Sequence, residues 1–128
     1  LMNPLTEAAI KVRENAHAPY SNYKVGAAVQ TDDGTIITGC NVESSSYGLT
    51  NCAERVALGA AVARGYKSFT AMAIAGKNGI SPCGACRQVI WDLCGDIPIT
   101  IIGDAGDETV HMSSVLLPHP FDNSHLKQ

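Results

Sequence analysis

Asn51-Cys52-Ala53-Glu54-Arg55 is answered about thirty residues later by Ser81-Pro82-Cys83-Gly84-Ala85-Cys86. Both stretches stand where a helix is expected to begin, so three thiols gather at two segment starts. Three thiols can hold one zinc ion. Zinc prefers four ligands in a tetrahedron, and a catalytic site takes three from protein and leaves the fourth to water. Glu54 is a poor fourth ligand, because two positions along a helix from Cys52 it points well around the cylinder. It can instead lean over the open face where the water sits. A metal-bound water beside an unligated carboxylate is hydrolytic equipment.

The electrostatics of such a site follow from its neighbours. Cys83 and Cys86 are three positions apart and share a helix face, so both can reach one ion. Helix N-termini carry partial positive charge, which favours thiolate over thiol. Three thiolates on one Zn²⁺ still leave a net negative charge, which blunts the acidification of the water. Arg55 is the nearby cation expected to hydrogen-bond the sulfurs and draw some of that charge off. A lone Cys-x-x-Cys would fit a redox pair or half of a structural zinc site about as well. Structural sites close with four protein ligands. The spare thiols Cys40 and Cys94 read as small core residues, and His17, His111, His119 and His125 lie far off in sequence. Glu54 tips the reading towards an open site holding one zinc ion per chain.

Composition bounds the rest. At 128 residues the chain reads as one domain spanning 1–128, long enough to bury roughly two-thirds of its unfolded surface. Hydrophobic residues make up 45% and charged ones 16%, an ordinary globular balance. The net charge is −3 with no Lys/Arg run, which argues against nucleic acid as the partner. No apolar run approaches a membrane span and no signal-peptide pattern opens the chain, so no membrane partner is expected. Leu1-Met2 reads as a cloning remnant. Five cysteines, an odd number, do not resemble a secreted disulfide framework. A reducing, cytoplasmic setting is expected.

The elements that must position the thiols can be read in order. Asn3-Pro4 is a helix start, and Leu5, Ala8, Ala9, Val12 and Ala16 form one apolar stripe before Pro19 ends it. Lys24 to Thr31 and Thr35 to Asn41 flank Asp32-Asp33-Gly34 as a hairpin. Gly26, Ala27 and Ala28 are too small to fill a core, so another element must approach that strand closely. Asn41 to Thr50 reads as a loop. Thr50 or Asn51 then caps a helix running to Gly65, and Phe69 to Ala75 is a buried strand. Ser81-Pro82 repeats the cap-plus-proline start for a helix that turns Val89, Ile90 and Leu93 inward and closes at Gly95. Pro98 to Gly103 and Thr109 to Met112 are further strands, and the tail from Val115 to Phe121 is apolar but broken by prolines. This order predicts an α/β fold, a three-layer α/β/α arrangement around a mixed central sheet of about five strands.

Cys52-Ala53-Glu54-Arg55 followed by Ser81-Pro82-Cys83-Gly84-Ala85-Cys86-Arg87-Gln88 resembles the cytidine deaminase family in its short form. The likeness runs nearly end to end. Ala18 to Ala28 matches the family's N-terminal block, Gly39 to Glu43 with Ser46-Tyr47-Gly48 its substrate loop, and Leu116-Leu117-Pro118 with Phe121 its C-terminal element. Ser44 departs from it, standing where the family usually has Asn.

The resemblance implies roles. Asn41 and Glu43 hydrogen-bond the ribose hydroxyls, and Tyr23, where the family commonly has Phe, lies against the pyrimidine face. The backbone of Ala53 and Cys83 meets the polar edge of the base. Phe121 reaches the site of a neighbouring subunit in a homotetramer, and Arg55 and Gln88 are supporting residues. Zinc brings the pKa of bound water from about 15.7 to about 7. Glu54 takes that proton to ring N3 and carries a second to the departing ammonia. Cytidine and deoxycytidine both carry the hydroxyl that Glu43 holds, so both are expected substrates, within pyrimidine salvage. Blasticidin S and free cytosine are rival substrates, against which Asn41 and Glu43 argue for a ribose. A non-catalytic zinc module leaves Glu54 unexplained, and the charge disfavours an editor of RNA or DNA.

Overall fold

The structure, a computed structural model, describes residues 3–126. Leu1 and Met2 lie outside the described residues. Helix α1 (Pro4–Arg13) starts as the sequence predicts, with the Asn3 side chain accepting from the Leu5 N–H at 2.8 Å. It stops at Arg13 and does not continue to Ala16. The N–H groups of Asn15 and Ala16 turn back only three residues, to Val12 and Arg13. His17 is then drawn into an extended bridge with Val42, its N–H bonded to Asn41 and its carbonyl accepting from Glu43. A long-range pairing of this kind overrides a local helical stripe.

Strands β1 (Gly26–Thr31) and β2 (Ile36–Cys40) pair antiparallel across the Asp-Gly turn, with Gly26 opposite Cys40. Helix α2 (Ala53–Ala63) follows a loop containing one 3₁₀ turn at Tyr47–Leu49. Strand β3 (Phe69–Ala75) lies antiparallel to β1, and after helix α3 (Gly84–Cys94) strand β4 (Pro98–Ile102) lies parallel to β3. Strand β5 (Glu108–Met112) closes the order β2-β1-β3-β4-β5, and the short helix α4 (Ser113–Leu116) comes after it. The expected mixed sheet of five strands is present. Among the described residues no helix is long and apolar enough to cross a membrane.

Alternation along the strands sorts the two faces. Ala27, Val29, Met72, Ile74, Ile99 and Ile101 meet Ala53, Ala57, Leu58 and Ala61 of α2 and Ile90 of α3. On the other face Ala28, Ala73, Ala75 and Ile102 meet Leu5 and Ala9 of α1. The three layers are thereby built. Leu93, expected to face inward, is 38% exposed. Ser113 begins α4 buried, exchanging hydrogen bonds with the backbone of Ile97, a contact 16 residues apart that the proline-broken tail did not suggest.

Two glycines set how close the outer layers come. A Cβ on Gly26 would stand 2.1 Å from the Ala9 carbonyl oxygen, so α1 rests against bare backbone there. This is the close approach that Gly26-Ala27-Ala28 predicts. Gly39 does the same for α2, since its Cβ would stand 2.3 Å from the Ala57 nitrogen and 2.7 Å from the Ala53 oxygen. Backbone cannot yield as a side chain can. Gly39→Ala is therefore expected to cost at least about 3 kcal/mol, the upper end of overpacking costs. In thermal unfolding this reads as a fall in Tm on the order of 10 °C; an unchanged Tm would show that α2 lifts from β2 freely.

Candidate active site

Both helices that carry the thiols begin at a cysteine. Cys52 is the N-cap of α2 and Cys83 the N-cap of α3, each with extended backbone. The caps expected at Asn51 and Ser81 are thus displaced inward. Ser81 and Pro82 are used otherwise: the Arg87 guanidinium donates to the Pro82 carbonyl at 2.7 Å, to Ser81 Oγ at 2.9 Å and to the Leu116 carbonyl at 2.9 Å. Pinned there, Pro82 delivers Cys83 to the helix start. Cys83 Sγ accepts the N–H of Cys86 at 3.5 Å, the position a serine oxygen would fill.

The Sγ atoms of Cys52, Cys83 and Cys86 all lie within 4.8 Å of one another, with Cys52 and Cys83 at 3.9 Å. Zn–S bonds of about 2.3 Å in a tetrahedron put sulfurs about 3.8 Å apart. A disulfide needs about 2.05 Å, and all five cysteines are free. The donor set fits zinc. Among the described residues this is the group of side chains able to hold a metal, and Glu54, Cys40, Cys94 and the histidines stand outside it.

The charges around the sulfurs are coupled. Cys52 is pulled down to about 5, first by the hydrogen bond from the Cys86 thiol and then by Arg55, against the opposing cost of burial. The same contact, followed by burial, holds the Cys86 proton on. The shared contact thus favours thiolate at Cys52 and the thiol at Cys86. Arg55 Nη2 lies 3.5 Å from Cys52 Sγ, and its Nε is buried without a protein partner. Glu54, at the second position of α2, is only 4% exposed. Burial pushes its carboxyl above the usual range, and the Cys52 charge adds to that. It is a carboxyl ready to hold a proton.

The residues expected to meet a nucleoside lie on the segments before and after the β1–β2 hairpin and on the tail. Asn41 is buried; its Oδ1 accepts from the Val25 N–H at 2.9 Å and its Nδ2 donates to the Tyr23 carbonyl at 2.8 Å, leaving one amide hydrogen. Glu43 lines a cavity of about 360 Å³ with Tyr20, Ser21, Tyr47 and Thr50. Tyr23 is half-buried, its hydroxyl bonded to Asn78 Oδ1. Ala53 is fully buried in the first turn of α2, where helix N–H groups lack intrahelical partners. Phe121 is 57% exposed, its ring stacked on His125 at 5.3 Å and its carbonyl accepting from Gln88 at 2.7 Å. Within one chain it borders a different cavity, with Trp91, Asp92 and Gly95. Sequence reasoning missed the contacts of Ser21 with Glu43 and of Asn78 with Tyr23, which span 22 and 55 residues. Nothing local announces them.

Fold and site together define a three-layer α/β domain with a thiolate centre suited to zinc. The family profile described as the cytidine and deoxycytidylate deaminase zinc-binding region matches residues 2–101. A cytidine deaminase of Sporosarcina psychrophila is 46% identical over 119 residues, 91% of this chain and 88% of that protein. One from Halalkalibacterium halodurans is 45% identical over 120 residues, 91% of each. The crystal structure of cytidine deaminase from Burkholderia pseudomallei superposes with a TM-score of 0.89 at 49% identity, covering 94% of this chain and all of that one. The chain belongs to the cytidine deaminase family. Given the Arg55–Cys52 contact, Arg55→Gln is expected to speed zinc transfer to a chromogenic chelator between roughly threefold and tenfold, the effect of losing one partly exposed hydrogen bond to a charged group. An unchanged transfer rate would remove Arg55 from the site's electrostatics.

Proposed function

We propose that this chain is a zinc-dependent hydrolase that deaminates cytidine and deoxycytidine to uridine and deoxyuridine, releasing ammonia. The observation that carries the reading is Glu54, buried at 4% exposure next to Cys52 yet outside the three-sulfur group. Cys52, Cys83 and Cys86 hold the ion. Zinc bound there supplies a water acidified to a pKa of about 7, as in other open sites. Glu54 takes a proton from that water and passes it to ring N3, which makes C4 electrophilic. It then takes the remaining proton of that oxygen, once on C4, and passes it to the exocyclic amine. The water oxygen ends on C4 and the amine leaves as ammonia.

The other residues bind and orient. First-turn N–H groups at Ala53 and the Cys83 backbone face the polar edge of the base. Tyr23 lies against its plane, and Asn41 and Glu43 take the ribose hydroxyls. Phe121 serves a neighbouring chain's site in a homotetramer, supported by its exposure here and by Gln88 holding its carbonyl. Exposed Tyr47, Leu49 and Val62 are surface such packing would cover. A single domain over 1–128 is part of this reading, and the five free thiols accord with a cytoplasmic role in pyrimidine salvage.

Positioned proton transfer is worth roughly 10²–10⁴-fold, and Glu54 is used twice. Glu54→Ala is expected to keep its zinc and its fold while losing at least about 10³-fold in kcat. The loss of ultraviolet absorbance on cytidine turnover, with metal analysis of the same sample, makes the measurement. Retained turnover rejects the role of Glu54. In the same assay cytidine and deoxycytidine are expected to turn over, and cytosine and blasticidin S are not.

A further inference from the structure

The Glu43 carboxylate is not free in the loop. Its Oε1 accepts the N–H groups of Tyr20 at 3.0 Å and Ser21 at 3.1 Å, and its Oε2 accepts the Ser21 hydroxyl. The Ser21 hydroxyl oxygen in turn accepts the N–H of Tyr23 at 3.0 Å. On the other side of that residue, the Tyr23 carbonyl accepts from Asn41. Both backbone groups of Tyr23 are therefore tied to the two residues assigned to the ribose, one directly and one through Ser21.

We infer that Ser21 is a positioning residue, whose one hydroxyl aims Glu43 at a sugar hydroxyl and at the same time fixes the Tyr23 backbone beneath the base. The inference rests on the nucleoside reading above. A carboxylate offers about four acceptor sites, and three are taken, so the fourth, on Oε2, has a set direction. Losing the Ser21 hydroxyl loosens the terminal torsion of Glu43, which is broad and roughly two-fold when unrestrained and is then held only through Oε1. It also leaves the Tyr23 N–H without its partner. The Ser21 hydroxyl does most to hold the Glu43 carboxyl below its usual range, ahead of the two backbone N–H groups. The carboxylate is solvent-accessible, so the effect on binding is moderate and falls on affinity, leaving proton transfer at Glu54 untouched.

The test is kinetics and hydrogen exchange on Ser21→Ala, Ser21→Thr and Glu43→Gln. For Ser21→Ala, KM for cytidine is expected to rise roughly threefold to tenfold with kcat within about twofold. KM for 3′-deoxycytidine, which lacks a hydroxyl, rises less, by the part that passes through Tyr23. Ser21→Thr keeps the hydroxyl and restores the cytidine KM. In the Glu43→Gln background, Ser21→Ala adds only that smaller Tyr23 part. Independently of any substrate, exchange of the Tyr23 amide is expected to quicken roughly tenfold in Ser21→Ala. Unchanged amide exchange overturns the contact, and an equal rise in KM for both nucleosides overturns the positioning role. A wild-type protein that turns over neither nucleoside defeats the parent reading instead, and the amide exchange still decides the Ser21 contact.

Discussion

Three sulfur atoms from two helix starts have to meet within a few ångströms, and the packing of the whole molecule answers to that requirement. α2 and α3 can present Cys52, Cys83 and Cys86 together only if both lie on one face of the sheet at a fixed spacing. Gly39 sets the spacing for α2 by letting the Ala53 and Ala57 backbone rest on β2 without a Cβ between. Ala57 and Ala61 extend the same close contact, while Ile90 seats α3 in the shared core. Arg87 fixes the turn ahead of Cys83 with three hydrogen bonds. Small residues bring the helices in, and one arginine sets where the second begins.

That geometry concentrates negative charge, and the chain handles it in two ways. The hydrogen bond from the Cys86 thiol and then Arg55 favour thiolate at Cys52, whereas the same contact and burial favour the thiol at Cys86. Binding a divalent metal therefore displaces protons from the thiols, so affinity for the ion is coupled to pH. Glu54 sits in the same field and is held towards its protonated form by burial and by Cys52. With three thiolates on a divalent ion the centre keeps a net negative charge, so that bias towards the protonated carboxyl persists.

The extent to which the sequence foretold this structure depends on how local each cause is. β3 matches its expected range, Phe69 to Ala75, because a bounded apolar run needs no partner to be recognised. The hairpin follows from Asp33-Gly34 between two apolar runs. The thiol cluster was legible because helix spacing alone brings Cys83 and Cys86 to one side. The helix starts were misplaced by one or two residues, since Asn51 and Ser81 are stronger cap signals than the cysteines that follow them. The end of α1 was missed for a different reason. His17 leaves the helix to bridge Val42, and no periodicity near residue 16 contains that information. Leu93 fits the apolar spacing of α3 but stays 38% exposed, outside the core cluster that holds Ile90.

The hairpin's flanks show a further limit on reading roles from motif likeness. Asn41 and Glu43 would be described, from residue type alone, as side chains extended towards a sugar. In the structure each is already bonded to the Tyr20–Val25 segment, Asn41 through Tyr23 and Val25, Glu43 through Tyr20 and Ser21. Scaffold and recognition are not alternatives here. A carboxylate with three of its acceptor sites filled, and a carboxamide with one hydrogen and one lone pair left over, keep few directions in which to bind. Side chains held in one orientation before the ligand arrives lose little freedom on binding, so more of each contact survives as affinity. Under the nucleoside reading, the same bonds that make these residues look structural also set the directions in which they bind.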